Sequence, residues 1–99
     1  MRIKDITLED YEKGYTYLCP ACGHHVVTCS GWKFDGNYVM PTLYPSVKIT
    51  CNDPNNKNYQ PEAKTTICHH YIRGGNIEFL ADCTHGLKNQ VHSLQEITV

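Results

Sequence analysis

Ninety-nine residues suffice for one compact domain and are too few for two, so the whole of 1–99 reads as a single unit. Nine Lys+Arg against ten Asp+Glu give a formal net charge of −1; this lacks the basic footprint of a phosphate binder and argues against nucleic acid as a partner. The apolar fraction is 40%, no run nears the roughly 18 apolar residues of a membrane span, and Glu9, Asp10 and Glu12 stand where a secretory apolar stretch would lie, which predicts a soluble cytoplasmic protein with no membrane partner.

Residues 1–14 are mixed, with Ile3, Ile6 and Leu8 ahead of a charged run and Gly14, and fit either a short strand or one helical turn. From Tyr15 the pattern becomes β: Tyr15-Thr16-Tyr17-Leu18 and Val26-Val27-Thr28 flank the tight turn Cys19-Pro20-Ala21-Cys22-Gly23. Trp32-Lys33-Phe34 predicts a third strand, ended by the hairpin signal Asp35-Gly36-Asn37. Pro41-Thr42-Leu43-Tyr44-Pro45-Ser46 carries two prolines and predicts an extended edge or loop. Val47, Ile49 and Cys51 alternate with Lys48 and Thr50 as in a strand. Residues 52–63 hold four Asn and two Pro and predict a long mobile loop. Thr65–Ile72 and Ile77–Asp82, separated by Arg73-Gly74-Gly75-Asn76, are the clearest hairpin, and the segment from Val91 to Val99 reads as a last strand. The aromatics Trp32, Phe34, Tyr38 and Tyr44 read as core and sheet-face residues, since few basic residues interleave with them.

Six Cys and six His in a chain without an export signal point to metal rather than disulfides. In Cys19-Pro20-Ala21-Cys22-Gly23 two thiolates three positions apart can face one ion, a zinc knuckle; the rival redox reading needs a helix after the motif, and Gly23-His24-His25-Val26-Val27 is a poor one. If Gly74-Gly75 is the hairpin turn, Ile72 faces Ile77, His70 faces Phe79, Cys68 faces Ala81 and Thr66 faces Cys83. Cys68 and Cys83 then become diagonal neighbours on one face. The expected zinc site is therefore Cys19, Cys22, Cys68 and Cys83. His69 projects to the other face near Asp82, and two readings compete: either His85 replaces one thiolate in a site of three cysteines and one histidine, or His69, Asp82 and His85 form a second constellation, an open metal site or a proton-transfer group. His24, His25 and His92 read as hydrogen-bonded structural histidines, and Cys29 and Cys51 as buried small hydrophobes.

Cys-Pro-Ala-Cys-Gly at 19–23, Trp32 with Asp35-Gly36, Pro-Thr-Leu-Tyr-Pro-Ser at 41–46, Cys-His-His-Tyr-Ile at 68–72 and Asp-Cys-Thr-His-Gly-Leu at 82–87 together resemble a family of small uncharacterised phage and bacterial proteins, many of which carry the unsupported label "ammonia monooxygenase". The resemblance spans roughly 18–94. It implies a small β-rich zinc-binding fold with Cys19, Cys22, Cys68, His69, Cys83 and His85 at the family's Cys/His positions and Asp82 beside them. It also implies a phage-encoded protein in a host cytoplasm and a link to bacterial ubiquitin-like conjugation.

The expected fold is thus mainly β, a small antiparallel domain in which a zinc knuckle and a hairpin close one metal site. Two functions follow from it. The first is a non-catalytic zinc-stabilised binding module acting through contact with a host or phage protein. The alternative is a zinc-dependent hydrolase or peptidase acting on protein conjugates, with His69, Asp82 and His85 as ligands or proton carriers.

Overall fold

The structure is a computed structural model that describes residues 1–9, 11–51 and 66–97. The expected 52–63 loop lies outside the described residues, as does the Cys51 side chain. Nine strands are described, and no helix long and apolar enough to cross a membrane occurs among these residues. The mainly antiparallel β class expected from the sequence is what the chain adopts.

The first fourteen residues resolve into β1 (Lys4–Thr7), which pairs with β2 (Lys13–Cys19); β2 pairs in turn with β3 (Gly23–Thr28). β4 (Lys33–Phe34) and β5 (Leu43–Tyr44) make a separate two-stranded ribbon. β6 (Val47–Cys51), β7 (Thr66–Arg73), β8 (Asn76–Phe79) and β9 (Val91–Ser93) form a four-stranded antiparallel sheet in sequence order. The terminal strand β9 ends at Ser93, shorter than the sequence suggested; beyond it the Leu94 N–H donates to Gly75 O (2.9 Å), Leu18 and Gln95 form an isolated bridge, and the Ile97 N–H donates to Met1 O (2.8 Å).

The hairpin turn at Gly74-Gly75 has φ of 56° and 83°, the left-handed region that a two-residue turn requires and that glycine enters at no steric cost. Its register pairs Ile72 with Ile77 and His70 with Phe79, as the turn position predicted. Beyond Phe79 the expected pairing of Cys68 with Ala81 and Thr66 with Cys83 does not continue. Ala81 and Asp82 form a turn, the Cys83 N–H donates to Leu80 O (3.3 Å), and the Thr84 N–H donates to Ile67 O (3.0 Å), a two-residue shift. The Asp35-Gly36-Asn37 signal likewise does not make a tight hairpin. Residues 35–42 form a wider loop between β4 and β5, with Asp35 Oδ1 accepting from the N–H groups of Asn37 (3.1 Å) and Thr42 (3.2 Å).

The period-two alternation of β7 decides the core. Cys68, His70 and Ile72 are buried, while Ile67, His69 and Tyr71 on the other face are only half-buried. Against the buried face lie Tyr17 and Cys19 of β2, Val27 of β3, Leu43 of β5, Val47 of β6 and Ile77 and Phe79 of β8. Tyr17, wholly buried, reaches across to His70, with its hydroxyl 2.7 Å from His70 Nε2, and His25 of β3 stacks on the His70 ring at 5.2 Å. Trp32 and Phe34 pack at the edge of this core. Tyr38 and Tyr44 do not join it: they are 38% and 60% exposed.

Candidate active site and metal centre

The buried face of β7 meets the knuckle turn. Cys19 closes β2, Cys22 lies in the turn, and Gly23, at φ 91°, lets the chain reverse into β3, where it pairs with Cys19. This reversal carries His25 to the inner side of β3. Candidate ligand atoms of Cys19, Cys22, His25 and Cys68 all lie within 4.8 Å of one another, and the Cys19 and Cys68 sulfurs are 4.0 Å apart. Two thiolates at about 2.3 Å from a tetrahedral zinc ion would be roughly 3.8 Å apart, so the spacing fits.

The electrostatics of the donors point the same way. The Cys22 hydrogen bond, with burial, pushes the Cys19 thiol up to about 12 against the opposing hydrogen bond with Cys68. Hydrogen bonds with Cys19 and Cys22, then burial, push the Cys68 thiol far up as well. Thiols this close cannot ionise together unless a cation compensates them. His25 Nε2 is the buried side-chain nitrogen that has no hydrogen-bond partner among the described residues, which a bond to a metal would explain. The donor set therefore fits a soft, tetrahedrally coordinated divalent ion.

A second group, Cys68, Cys83 and His85, shares Cys68 with the first. Its members are engaged differently. His85 Nδ1 accepts the Leu87 N–H (3.2 Å), so in the neutral ring the proton is on Nε2, which donates to Cys68 Sγ at 3.4 Å. Burial lowers the His85 pKa and favours that neutral ring. Cys83 Sγ accepts the His69 N–H (3.3 Å) and donates to His69 O (3.2 Å), and burial pushes its thiol up. His70 Nδ1 is also 3.4 Å from Cys68 Sγ; burial and the neighbouring His25 lower its pKa to about 3 and hold it neutral. His70 and His85 are thus placed as hydrogen-bond partners around the Cys68 sulfur, the outer support usual for a metal ligand.

The opposite face of β7 carries different chemistry. His69 faces away from the thiols, 3.1 Å from both carboxylate oxygens of Asp82 through Nδ1. With Nδ1–H donating to Asp82, Nε2 is free to accept, and Ser46 Oγ lies 3.3 Å from it. Ser46 stands just ahead of β6, which the register of Val47 with His70 and Lys48 with His69 brings alongside β7. Partial desolvation pushes the Asp82 carboxyl up, but the His69 hydrogen bond and charge, with Lys48 Nζ 3.7 Å away, outweigh it and hold the group below the ordinary carboxylate range.

The structure therefore brings His69 and Asp82 together, as the sequence expected, and adds Ser46. His85 does not join them; it is buried on the inner side, with its ring against Phe79 at 4.6 Å. Cys19, Cys22 and Cys68 converge, but His25 is grouped with them where Cys83 was expected. Cys29, expected to be buried, is exposed.

A hydroxyl, an imidazole and a carboxylate hydrogen-bonded in series are the arrangement of a serine hydrolase. Residues 2–80 match the family described as bacterial ubiquitination-like system serine protease (BubE), and the chain belongs to that family. The match contains Ser46 and His69 and stops two residues before Asp82. No curated protein and no solved structure matches.

Proposed function

We propose that this chain is a serine-type peptidase of a bacterial ubiquitin-like conjugation system, and that zinc held by Cys19, Cys22, His25 and Cys68 is its structural cross-link rather than its catalyst. The Ser46–His69–Asp82 series carries the reading. It replaces the non-catalytic module, because such a module has no use for that series, and it replaces zinc hydrolysis, because His69 is directed to Ser46 and Asp82.

In this mechanism Ser46 Oγ attacks the scissile carbonyl carbon while its proton passes to His69 Nε2. The carbon–nitrogen bond then breaks, the leaving amine takes that proton, and the acyl group remains on Ser46 as an ester. Water repeats the sequence and releases the acid. Asp82 keeps His69 in the tautomer that accepts at Nε2 and stabilises the imidazolium. A bound zinc ion supplies charge compensation for the thiolates and a fixed link between the knuckle and β7. The partner is a protein, the ubiquitin-like substrate or its conjugate.

The test is hydrolysis of a ubiquitin-like protein carrying a C-terminal amide extension, by the native protein and by Ser46→Ala. The reading expects cleavage by the native protein and its loss in Ser46→Ala at unchanged zinc content. Cleavage that persists in Ser46→Ala overturns it.

A further inference from the structure

Beside the nucleophile is a cleft of about 580 Å³ with Trp32, Lys33, Tyr44 and Pro45 in its walls and the 29–31 turn at one end. Pro45 immediately precedes Ser46, and the Trp32 indole N–H donates to the Ser46 carbonyl oxygen at 3.3 Å. The cleft therefore borders the Ser46 backbone through Pro45 and Trp32. Lys33 and Tyr44 face each other across the β4–β5 ribbon, which sets one wall.

We propose that this cleft binds the acyl side of an extended peptide substrate, with an apolar side chain packed between Trp32 and Tyr44. The proposal rests on the serine-peptidase reading and identifies what that site selects. Its polarity follows from the chemistry. His69 must deliver a proton to the leaving amine, so the leaving segment lies towards β7 and Asp82. None of the cleft's walls comes from β7 or from residues 80–85, so the cleft is left for the segment that stays on Ser46. Its volume falls in the range of sites that hold a compact ligand or a short peptide stretch. An aromatic that is 60% exposed and a half-buried indole in the same lining supply a large rigid apolar contact, with Lys33 and Ser30 as the polar groups beside them.

The chain provides its own reporter, because Trp32 is its only tryptophan. The experiment uses a positional library of acetylated, tryptophan-free tetrapeptide amides of 7-amino-4-methylcoumarin. At one acyl-side position Leu, Ile, Phe or Met should exceed Gly and Ala in kcat/KM by about tenfold or more. That preference should flatten in Tyr44→Ala, a change at an exposed side chain, and in Trp32→Phe. Titrating the preferred peptide into Ser46→Ala should shift the tryptophan emission and saturate. A library without an apolar preference, a preference that survives both substitutions, or a silent indole overturns the cleft assignment. So does a Ser46 that reacts with a fluorophosphonate while no peptide is turned over. If Ser46 is inert to the fluorophosphonate as well, the serine-peptidase reading itself has failed.

Discussion

Cys68 and His69 are consecutive on β7 and face opposite sides of the sheet: the Cys68 sulfur enters the buried thiol cluster, and the His69 ring extends outward between Ser46 and Asp82. The strand's two-residue period thus separates the thiol cluster from the Ser46–His69–Asp82 series while coupling them through one backbone. A metal at Cys68 can fix β7 against β2 and β3 without touching a reacting atom.

Metal removal should therefore act on the fold first. Zinc binding worth about 10–16 kcal/mol is comparable to the roughly 5–15 kcal/mol by which a domain of this kind is stable, so a strong chelator should unfold the protein. Elemental analysis should find one zinc per chain. Cys19→Ser, Cys22→Ser, Cys68→Ser and His25→Ala should each lose it, while Cys29→Ser at an exposed site should stay within about 0.5 kcal/mol of native. Native zinc content in His25→Ala, read with the melting curve, would remove His25 from the ligand set.

The active-site changes should show the reverse pattern. Ser46→Ala and His69→Ala should keep zinc and the melting temperature while kcat/KM falls by about 10⁴–10⁶-fold. Asp82→Asn should lose less, about 10²–10⁴-fold, because its site is open to solvent and its part is to orient and stabilise the imidazole. Equal losses in all three accompanied by lost zinc would mean that these residues hold the fold and not the chemistry.

The contrast between Ser46 and Gly74-Gly75 shows what the sequence made legible. Gly74-Gly75 sits between two apolar runs and fixes a register by local rules, so the faces of Cys68 and His69 followed from it directly. Ser46 has no local signature: its partners lie 23 and 36 residues further along the chain, and only the pairing of β6 with β7 brings it to His69. His25 was hidden for a related reason. Its neighbours suggest an ordinary strand histidine, and its inward direction depends on the reversal at Gly23. Cys83 was placed by continuing a ladder that ends at Phe79, where the Ala81-Asp82 turn shifts the register and ties the thiol to the His69 backbone.

The pH behaviour of Asp82 follows from its lowered pKa. A carboxyl whose folded value lies below its ordinary value of 3.8 contributes stability in its ionised form above that value, and the contribution is lost as pH falls through the folded value. Carboxyl ¹³C NMR should show Asp82 titrating below the ordinary aspartate value of 3.8. In His69→Ala, which removes the hydrogen bond and the charge while leaving the partial desolvation, the titration should move upward. An Asp82 midpoint unmoved by His69→Ala would mean that the two are not paired in solution.

Tyr17→Phe tests the core support beneath the metal. It removes the hydroxyl 2.7 Å from His70 Nε2 and leaves that nitrogen buried without its partner, at a cost of about 1–3 kcal/mol. Equilibrium denaturation should show the midpoint lowered with an unchanged slope. An unchanged midpoint would mean that the Tyr17 hydroxyl and His70 do not bond in the folded protein.

The most direct measurement of the central claim is the site at which a fluorophosphonate reacts. The zinc-loaded protein is treated with the probe, its intact mass recorded, and the adduct mapped by peptide sequencing. The account predicts one adduct per chain, on Ser46, absent from Ser46→Ala and strongly slowed in His69→Ala. An unmodified protein, or an adduct on another residue that forms equally well in Ser46→Ala, would contradict it.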